Sequence, residues 1–237
     1  MSATPRAATG ITDYSARTWA AHRLELRESR LRKAFELFRG ERPGRMLDVG
    51  CGHGEFGALL LQAGWSVDGL DLDPAQVASA AGRGLTARVC DLTGGLPFAD
   101  ARFDALFAGE VIEHLVDTDA FLAEIARVVR PGGFVILTTP NLASFENRVR
   151  LLLGIYPIWV NYRLEGMGHV RAYTPGTLRR QLAEHGLNVE RHRGNWVPFV
   201  PQRFADDVRF PWLAVTGDWL PGWSMDIIFK ARRSDHE

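Results

Sequence analysis

The sequence predicts an α/β fold, a parallel sheet with helices on both faces. Three observations carry this: strand and helix patterns alternate from Arg45 to Thr139, a glycine-rich loop follows the first strand, and an acid closes each of the first three strands or the loop just after it. The chain has 237 residues, 46% hydrophobic and 24% charged, values that exclude a disordered protein, a collagen and a coiled coil. Its 28 basic side chains balance 28 acidic ones. Neutrality argues against holding nucleic acid by bulk electrostatics, and leaves a local basic patch open.

Residues 1–11 read as a frayed end. From Thr12 to Arg39, Trp19, Leu24, Leu26, Leu31, Phe35, Leu37 and Phe38 recur at roughly helical spacing until Gly40 and Pro43 stop the pattern. Arg45–Val49 reads as a short buried strand, Phe56–Ala63 as a helix ending at Gly64, and Ser66–Leu72 as a strand. Pro74–Ala81 reads as a helix with Asp73 near its N-cap, and Thr86–Cys90 and Phe103–Ala108 as strands. Thr118–Arg130 is an amphipathic helix stopped by Pro131-Gly132-Gly133, and Phe134–Thr139 is a strand rich in β-branched and aromatic residues. Residues 141–172 break the rhythm with a helix-like stretch, Phe145–Leu153. Pro175–His185 reads as a helix, and Leu187–Val197 and Met225–Arg232 as strands.

Two cysteines, Cys51 and Cys90, suggest a reducing compartment rather than a disulfide framework. No apolar leader precedes Gly10, and Leu151–Val160 is about half of the ~20 residues a bilayer span needs. A cytoplasmic protein is expected. The basic set is 26 arginines and two lysines, a bias read as genomic background.

The most informative segment is Met46-Leu47-Asp48-Val49-Gly50-Cys51-Gly52-His53-Gly54. Alternate glycines between strand and helix permit φ > 0 and close approach of a ligand to the backbone. Gly52 to Gly57 also fits G-x-G-x-x-G, the dinucleotide pattern, but Glu55 would repel a pyrophosphate at the helix N-terminus. Asp48 suits instead a ligand carrying an ammonium group. Ligands of doubly wound sheets bind outside the carboxyl ends of the strands. There Asp71 can accept both hydroxyls of a ribose, and Asp91 can accept from an adenine amino group.

These motifs, with Gly69-Leu70-Asp71, Cys90-Asp91-Leu92 and Arg130-Pro131-Gly132-Gly133, resemble the ordered motifs of the class I S-adenosylmethionine-dependent methyltransferases. The resemblance covers about residues 43–140. It implies a Rossmann-like sheet of seven mostly parallel strands whose last strand is antiparallel, with helices on both faces. It implies that Asp48, Gly50, Cys51, Gly52, Gly54, Asp71, Leu72, Asp91, Leu92 and Glu110 hold S-adenosylmethionine. In such a transfer the sulfonium methyl is attacked in line, so alignment matters more than any enzyme nucleophile. The chain then divides into an N-terminal helical cap (1–42), a cofactor-binding half (43–140), an insertion or lid (141–173) and the C-terminal half of the same domain (174–237).

After the fourth strand comes Gly109-Glu110-Val111-Ile112-Glu113-His114-Leu115. As a helical turn, Glu110, Glu113 and His114 would share one face and could converge on a cation. The segment resembles the O-methyltransferases of ubiquinone biosynthesis and the small-RNA 3′-terminal 2′-O-methyltransferases. The second resemblance implies a distant histidine ligand, matched by His169 in His169-Val170-Arg171-Ala172-Tyr173-Thr174. Both branches methylate one oxygen of a vicinal hydroxyl pair, which a divalent ion such as Mg or Mn can acidify. Three alternatives stand: a metal on Glu110, Glu113, His114 and His169; a metal-free acid/base role for His114, with His169 beside it as a second catalytic candidate; or neither.

The function expected is methyl transfer to a hydroxyl of a small molecule: a catechol, quinone precursor, polyketide, or sugar or lipid-linked acceptor. The alternatives are RNA 3′-end 2′-O-methylation, which neutrality weakens, and a non-catalytic cofactor-binding protein. A dehydrogenase is more distant. Leu151–Val160, flanked by Arg148, Arg150 and Arg163, can lie on a membrane, cover an apolar pocket or pack on the core. The aromatic and proline-rich stretch Trp196–Trp223 can stack on a substrate or close the sheet edge. Charge is unevenly spread: residues 46–130 hold 13 acidic and 5 basic side chains, whereas 131–205 hold 9 basic and 4 acidic. An anionic acceptor therefore stays open.

Overall fold

A computed structural model describes residues 28–160, 168–196 and 215–234. The expected frayed end, the helix before Glu28 and most of the aromatic stretch after Trp196 lie outside the described residues. The chain runs α1 (Ser29–Phe38), β1 (Arg45–Val49), α2 (Glu55–Gln62), β2 (Ser66–Asp71), α3 (Pro74–Gly82), β3 (Thr86–Val89) and β4 (Phe103–Gly109). It continues through α4 (Thr118–Val128), β5 (Val129–Pro140), α5 (Phe145–Leu152), α6 (Pro175–Glu184), β6 (Leu187–Gly194), α7 (Thr216–Trp219) and β7 (Asp226–Arg233).

The seven strands form one sheet in the order β3-β2-β1-β4-β5-β7-β6. β1 to β5 pair in parallel, and β7 runs antiparallel between β5 and β6. Strand alternation sorts side chains into two cores. Met46, Ala105, Phe107, Phe134 and Ile136 face α1, α2 and α3. Their neighbours Leu47, Val49, Leu106, Ala108, Val135 and Leu137 face α4 and α6. On the first face Phe38 meets Phe56, Trp65 and Phe134 edge-on, at centroid distances of 6.1, 5.3 and 5.4 Å. Each such pair adds roughly 0.5–1.5 kcal/mol beyond burial.

Three expected boundaries move by more than a residue. The helical pattern expected to run from Thr12 to Arg39 is broken at Glu28, which is extended (φ −64°, ψ 124°) and caps a helix that starts at Ser29. The helix expected to reach Arg130 ends at Val128, and β5 begins directly at Val129, paired with Phe103. The next paired residues are Ala105 and Phe134, so Arg130–Gly133 are an irregularity inside a strand, not a spacer between elements. β-Branched Val129 is extended (φ −80°, ψ 132°) and Gly132 supplies the positive φ of 68° that the detour needs. β6, expected to reach Val197, ends at Gly194. Trp196 N–H there leaves the ladder for Asn195 Oδ1 (2.9 Å) and Ser224 Oγ (3.1 Å).

The strand order reverses between β1 and β4, so a crevice opens at their carboxyl ends. The glycine loop leaves β1 there, and the Glu-x-x-Glu-His segment leaves β4 beside it. A Cβ on Gly50 would sit 2.7 Å from Val111 Cγ2, which shows how closely the two loops pack.

Candidate active site

The glycine loop has the backbone its composition demands. Gly50, Gly52 and Gly54 have φ of 69°, 54° and 83°, a region that L side chains rarely adopt. Gly54 is the N-cap of α2, and a Cβ there would meet the Ala80 backbone at 2.7 Å. Gly50 and Cys51 N–H both donate to Leu70 O, at 2.8 and 2.9 Å, which binds the loop to β2. Cys51 is buried against Gly69, and burial pushes its thiol well above the ordinary range. It is a packing residue rather than a reactive thiol.

Asp48, next to last in β1, is only 2% exposed, and its Oδ2 has no hydrogen-bond partner among the described residues. Burial, then the nearby charge of Asp71, pushes its carboxyl up to about 8. A buried acceptor left unmet at a ligand crevice fits a cationic group such as an ammonium. Asp71 accepts Gly52 N–H (2.9 Å) and Asp73 N–H (3.0 Å), which fixes its carboxylate at the end of β2. Asp91 is exposed and accepts from Thr93 N–H (2.9 Å) and Thr93 O–H (2.7 Å). These bonds hold its carboxyl below the usual range. Leu72 and Leu92 are half-buried in the loops that follow β2 and β3. The cradle therefore matches a nucleoside with an amino-acid tail: glycines for close approach, a buried acid for the ammonium, and further acids at the next two strand ends.

The second motif corrects the expected helical face. Glu110 takes φ 57°, so the chain turns left-handed at the point where a helix would start, and only Ile112–His114 forms a short 3-10 turn. Glu110 is thereby aimed at α1 and β5. Its Oε1 accepts from Thr138 O–H (2.9 Å) and lies 3.5 Å from the buried Arg30 guanidinium. It stands apart from the cluster that does form, in which ligand atoms of Glu113, His114 and His169 all lie within 4.8 Å of one another.

Backbone contacts bring His169 there. Val170 and Arg171 N–H both donate to Glu113 O, at 2.8 and 3.0 Å, and dock the segment onto the Ile112–His114 turn. His114 Nδ1 is 3.3 Å from Gly168 O, and His169 Nδ1 is 2.8 Å from Trp159 O. A carbonyl only accepts, so each Nδ1 carries the hydrogen, and Nε2 is the ring nitrogen left for a ligand. Trp159 holds φ 65°, a strained conformation for an indole residue, and its carbonyl is the one that accepts from His169. Glu113 is 1% exposed; Thr139 O–H donates to its Oε2 (2.9 Å), and its Oε1 has no hydrogen-bond partner among the described residues. Burial and then Glu110 push this carboxyl up, while burial and then His169 push the His114 imidazole down to about 4. Two oriented imidazoles and a buried carboxylate are a donor set that fits a divalent cation. Sequence reasoning missed Arg30, Thr138, Thr139 and Trp159. The two threonines end β5 at the same sheet edge and follow from the crevice rule; nothing local marks the others.

The fold and the loop geometry define a doubly wound domain built for a nucleoside-type ligand at its switch point. Residues 20–192 match the family model described as a methyltransferase domain. The chain belongs to the S-adenosylmethionine-dependent methyltransferase family. It is 34% identical over 158 residues to the mitochondrial ubiquinone biosynthesis O-methyltransferase of Homo sapiens, covering 62% of this chain and 42% of that one. It is 34% identical over 139 residues to the malonyl-[acyl-carrier protein] O-methyltransferase of Serratia marcescens, covering 57% and 50%. The chain thus spans about half the length of these relatives. Among solved structures it is similar to the 1,6-didemethyltoxoflavin-N1-methyltransferase of Burkholderia thailandensis with bound S-adenosylhomocysteine. That match has a TM-score of 0.64 and 18% identity over 95% of this chain and 87% of the other. Among the described residues, no helix is long and apolar enough to cross a membrane.

Proposed function

We propose that the protein transfers a methyl group from S-adenosylmethionine to one oxygen of a vicinal hydroxyl pair on a small molecule, with a divalent cation held by Glu113, His114 and His169. The observation that carries this reading is the buried cluster itself. Ligand atoms of Glu113, His114 and His169 lie within 4.8 Å of one another, Glu113 keeps one oxygen without a hydrogen-bond partner among the described residues, and both Nδ1–H groups are already committed to backbone carbonyls.

Asp48 receives the ammonium of the cofactor, Asp71 the ribose hydroxyls and Asp91 the adenine amino group. The glycine loop admits the cofactor against the backbone, and the crevice aligns its methyl with the acceptor oxygen. That oxygen gives its proton to solvent water and attacks the methyl carbon, so the carbon–oxygen bond forms as the carbon–sulfur bond breaks and S-adenosylhomocysteine leaves as a neutral thioether. When bound, a divalent cation supplies Lewis acidity that favours the ionised hydroxyl. Thr139 orients Glu113, and the Gly168 and Trp159 carbonyls orient the two histidines. The names of the ubiquinone and malonyl-carrier relatives support an oxygen acceptor.

The test is methyl transfer from labelled cofactor to a panel of catechols and other vicinal diols. Metal-stripped protein in excess chelator is expected to lose activity about tenfold or more and regain it with Mg or Mn. His169→Ala is expected to lose as much, with cofactor affinity unchanged by calorimetry. Full activity in the stripped protein would overturn the metal, and absence of any methylated product would overturn the acceptor class.

A further inference from the structure

Six consecutive residues, Leu151–Tyr156, are exposed at the end of α5 and in the turn after it. Leu152 is 86% and Leu153 67% exposed. The chain therefore does not pack these leucines on the core, where Ile158 and Trp159 do join Trp196 and Met225. A second apolar group, Trp219, Leu220 and Trp223, is also exposed, with Trp219 at 74%. The two groups are linked through α5, whose first residue meets one and whose last residues form the other. Phe145 of α5 stacks on Trp223 at 5.6 Å and 14°, and the Arg148 guanidinium lies 5.8 Å from the Trp223 ring centre.

We propose that this face, the tip of α5 with Trp219 and Trp223, docks on an anionic lipid bilayer. Leu151, Leu152, Leu153, Ile155 and Tyr156 are exposed in one short run, unlike the single scattered apolar residues of an ordinary surface. The face is cationic on balance: α5 carries Arg148 and Arg150 against one acid, Glu146, which pairs with Arg150 at 3.6 Å. Arg148 and Arg150 sit at the base of the leucine tip, where long stems lie along apolar surface while the heads reach phosphate. Exposed tryptophans at the rim suit the headgroup layer, where an amphipathic ring meets both phases. Beyond the exposed run the chain turns inward through half-buried Ile158, Trp159 and Val160, which line a cleft of about 10 Å³ at Glu113 and His169. Docking would turn that cleft towards acceptors dissolved in lipid, a link that rests on the proposed function; the docking itself does not.

The full chain is sedimented with vesicles of phosphatidylcholine alone and with vesicles containing phosphatidylglycerol, without cofactor or acceptor. Pelleting is expected with the anionic vesicles only. It is expected to fall about tenfold or more in Leu152→Ser/Leu153→Ser and again in Trp219→Ser/Trp223→Ser. Arg148→Gln/Arg150→Gln is expected to reduce the preference for phosphatidylglycerol. Unchanged thermal midpoints show that the variants, all at exposed positions apart from half-buried Arg150, still fold. No pelleting of the parent, or equal pelleting of parent and leucine variant, overturns the proposal. So does a dimer in solution that the leucine substitutions dissolve without any vesicle binding, which would assign the face to a second copy. Because no methyl transfer is read, failure here is separable from failure of the proposed reaction.

Discussion

Asp48 carries the most consequential charge state among the single residues. With its carboxyl pushed up to about 8, it is largely protonated at pH 7 until a cation arrives. An ammonium placed against it favours the ionised form, so cofactor binding is expected to release up to about one proton at pH 7. Affinity should then rise by up to about tenfold per pH unit between pH 6 and 8 and flatten above. Calorimetric titration in two buffers of unlike ionisation enthalpy reads this directly; heats independent of buffer would refute it. Asp48→Asn is expected to lose the pH dependence and about 10- to 100-fold in affinity, the range for a hydrogen bond to a charged group. The same shift has a sign for stability. A carboxyl raised from 3.8 favours the fold below about pH 4, and that contribution is lost as pH rises through 8. The sequence marked Asp48 because an acid beside alternate glycines has few other uses. It did not mark the left-handed turn at Glu110, since a non-glycine residue with positive φ leaves no compositional trace.

Among the elements, the β1–loop–α2 unit shows why part of the site was legible. Positive φ at three alternate positions excludes most side chains, so the backbone requirement is written as glycine. Gly54→Ala is expected to cost about 2 kcal/mol or more in urea unfolding. It combines a strained φ of 83° with a Cβ 2.7 Å from the Ala80 backbone. Gly82→Ala, in the last turn of α3 with open space around it, is expected to stabilise by roughly 0.4–1 kcal/mol. Equal effects of the two substitutions would refute the conformational reading. The boundary between α4 and β5 was less legible. Pro131-Gly132-Gly133 is a helix stop by composition, yet Val129 enters the sheet first, because pairing with Phe103 outweighs the local signal. His169 reaches the cluster through backbone bonds to Glu113, a long-range pairing that no spacing rule encodes.

For the molecule as a whole, the lysines tell more than the net charge. The chain has 26 arginines, and its two lysines, Lys33 and Lys230, are both buried, at 4% and 7% exposure. Both join α1 to the C-terminal strands. Lys33 donates to Gly194 O and pairs with Asp218 at 3.1 Å. Lys230 donates to Leu37 O at 3.2 Å, pairs with Glu41 and lies 4.6 Å from the Phe134 ring centre. A compact ammonium reaches a backbone carbonyl in a sealed site where a planar guanidinium fork needs more room. The bias towards arginine is thus a background against which two sites demand lysine for steric reasons. Lys33→Arg is expected to destabilise the fold by about 1–3 kcal/mol, the usual cost of overpacking, whereas the same urea titration of exposed Arg39→Lys should stay within about 0.5 kcal/mol. Burial brings the Lys33 amine down to about 8 from 10.5, although Asp218 pulls it up. Between those values the unfolded chain holds a proton that the folded one sheds, so this group adds stability as pH rises from 8 to 10. An arginine cannot shed its proton. The gap between parent and Lys33→Arg should therefore widen from pH 7 to pH 10, and a constant or shrinking gap would show that Lys33 is not buried as described.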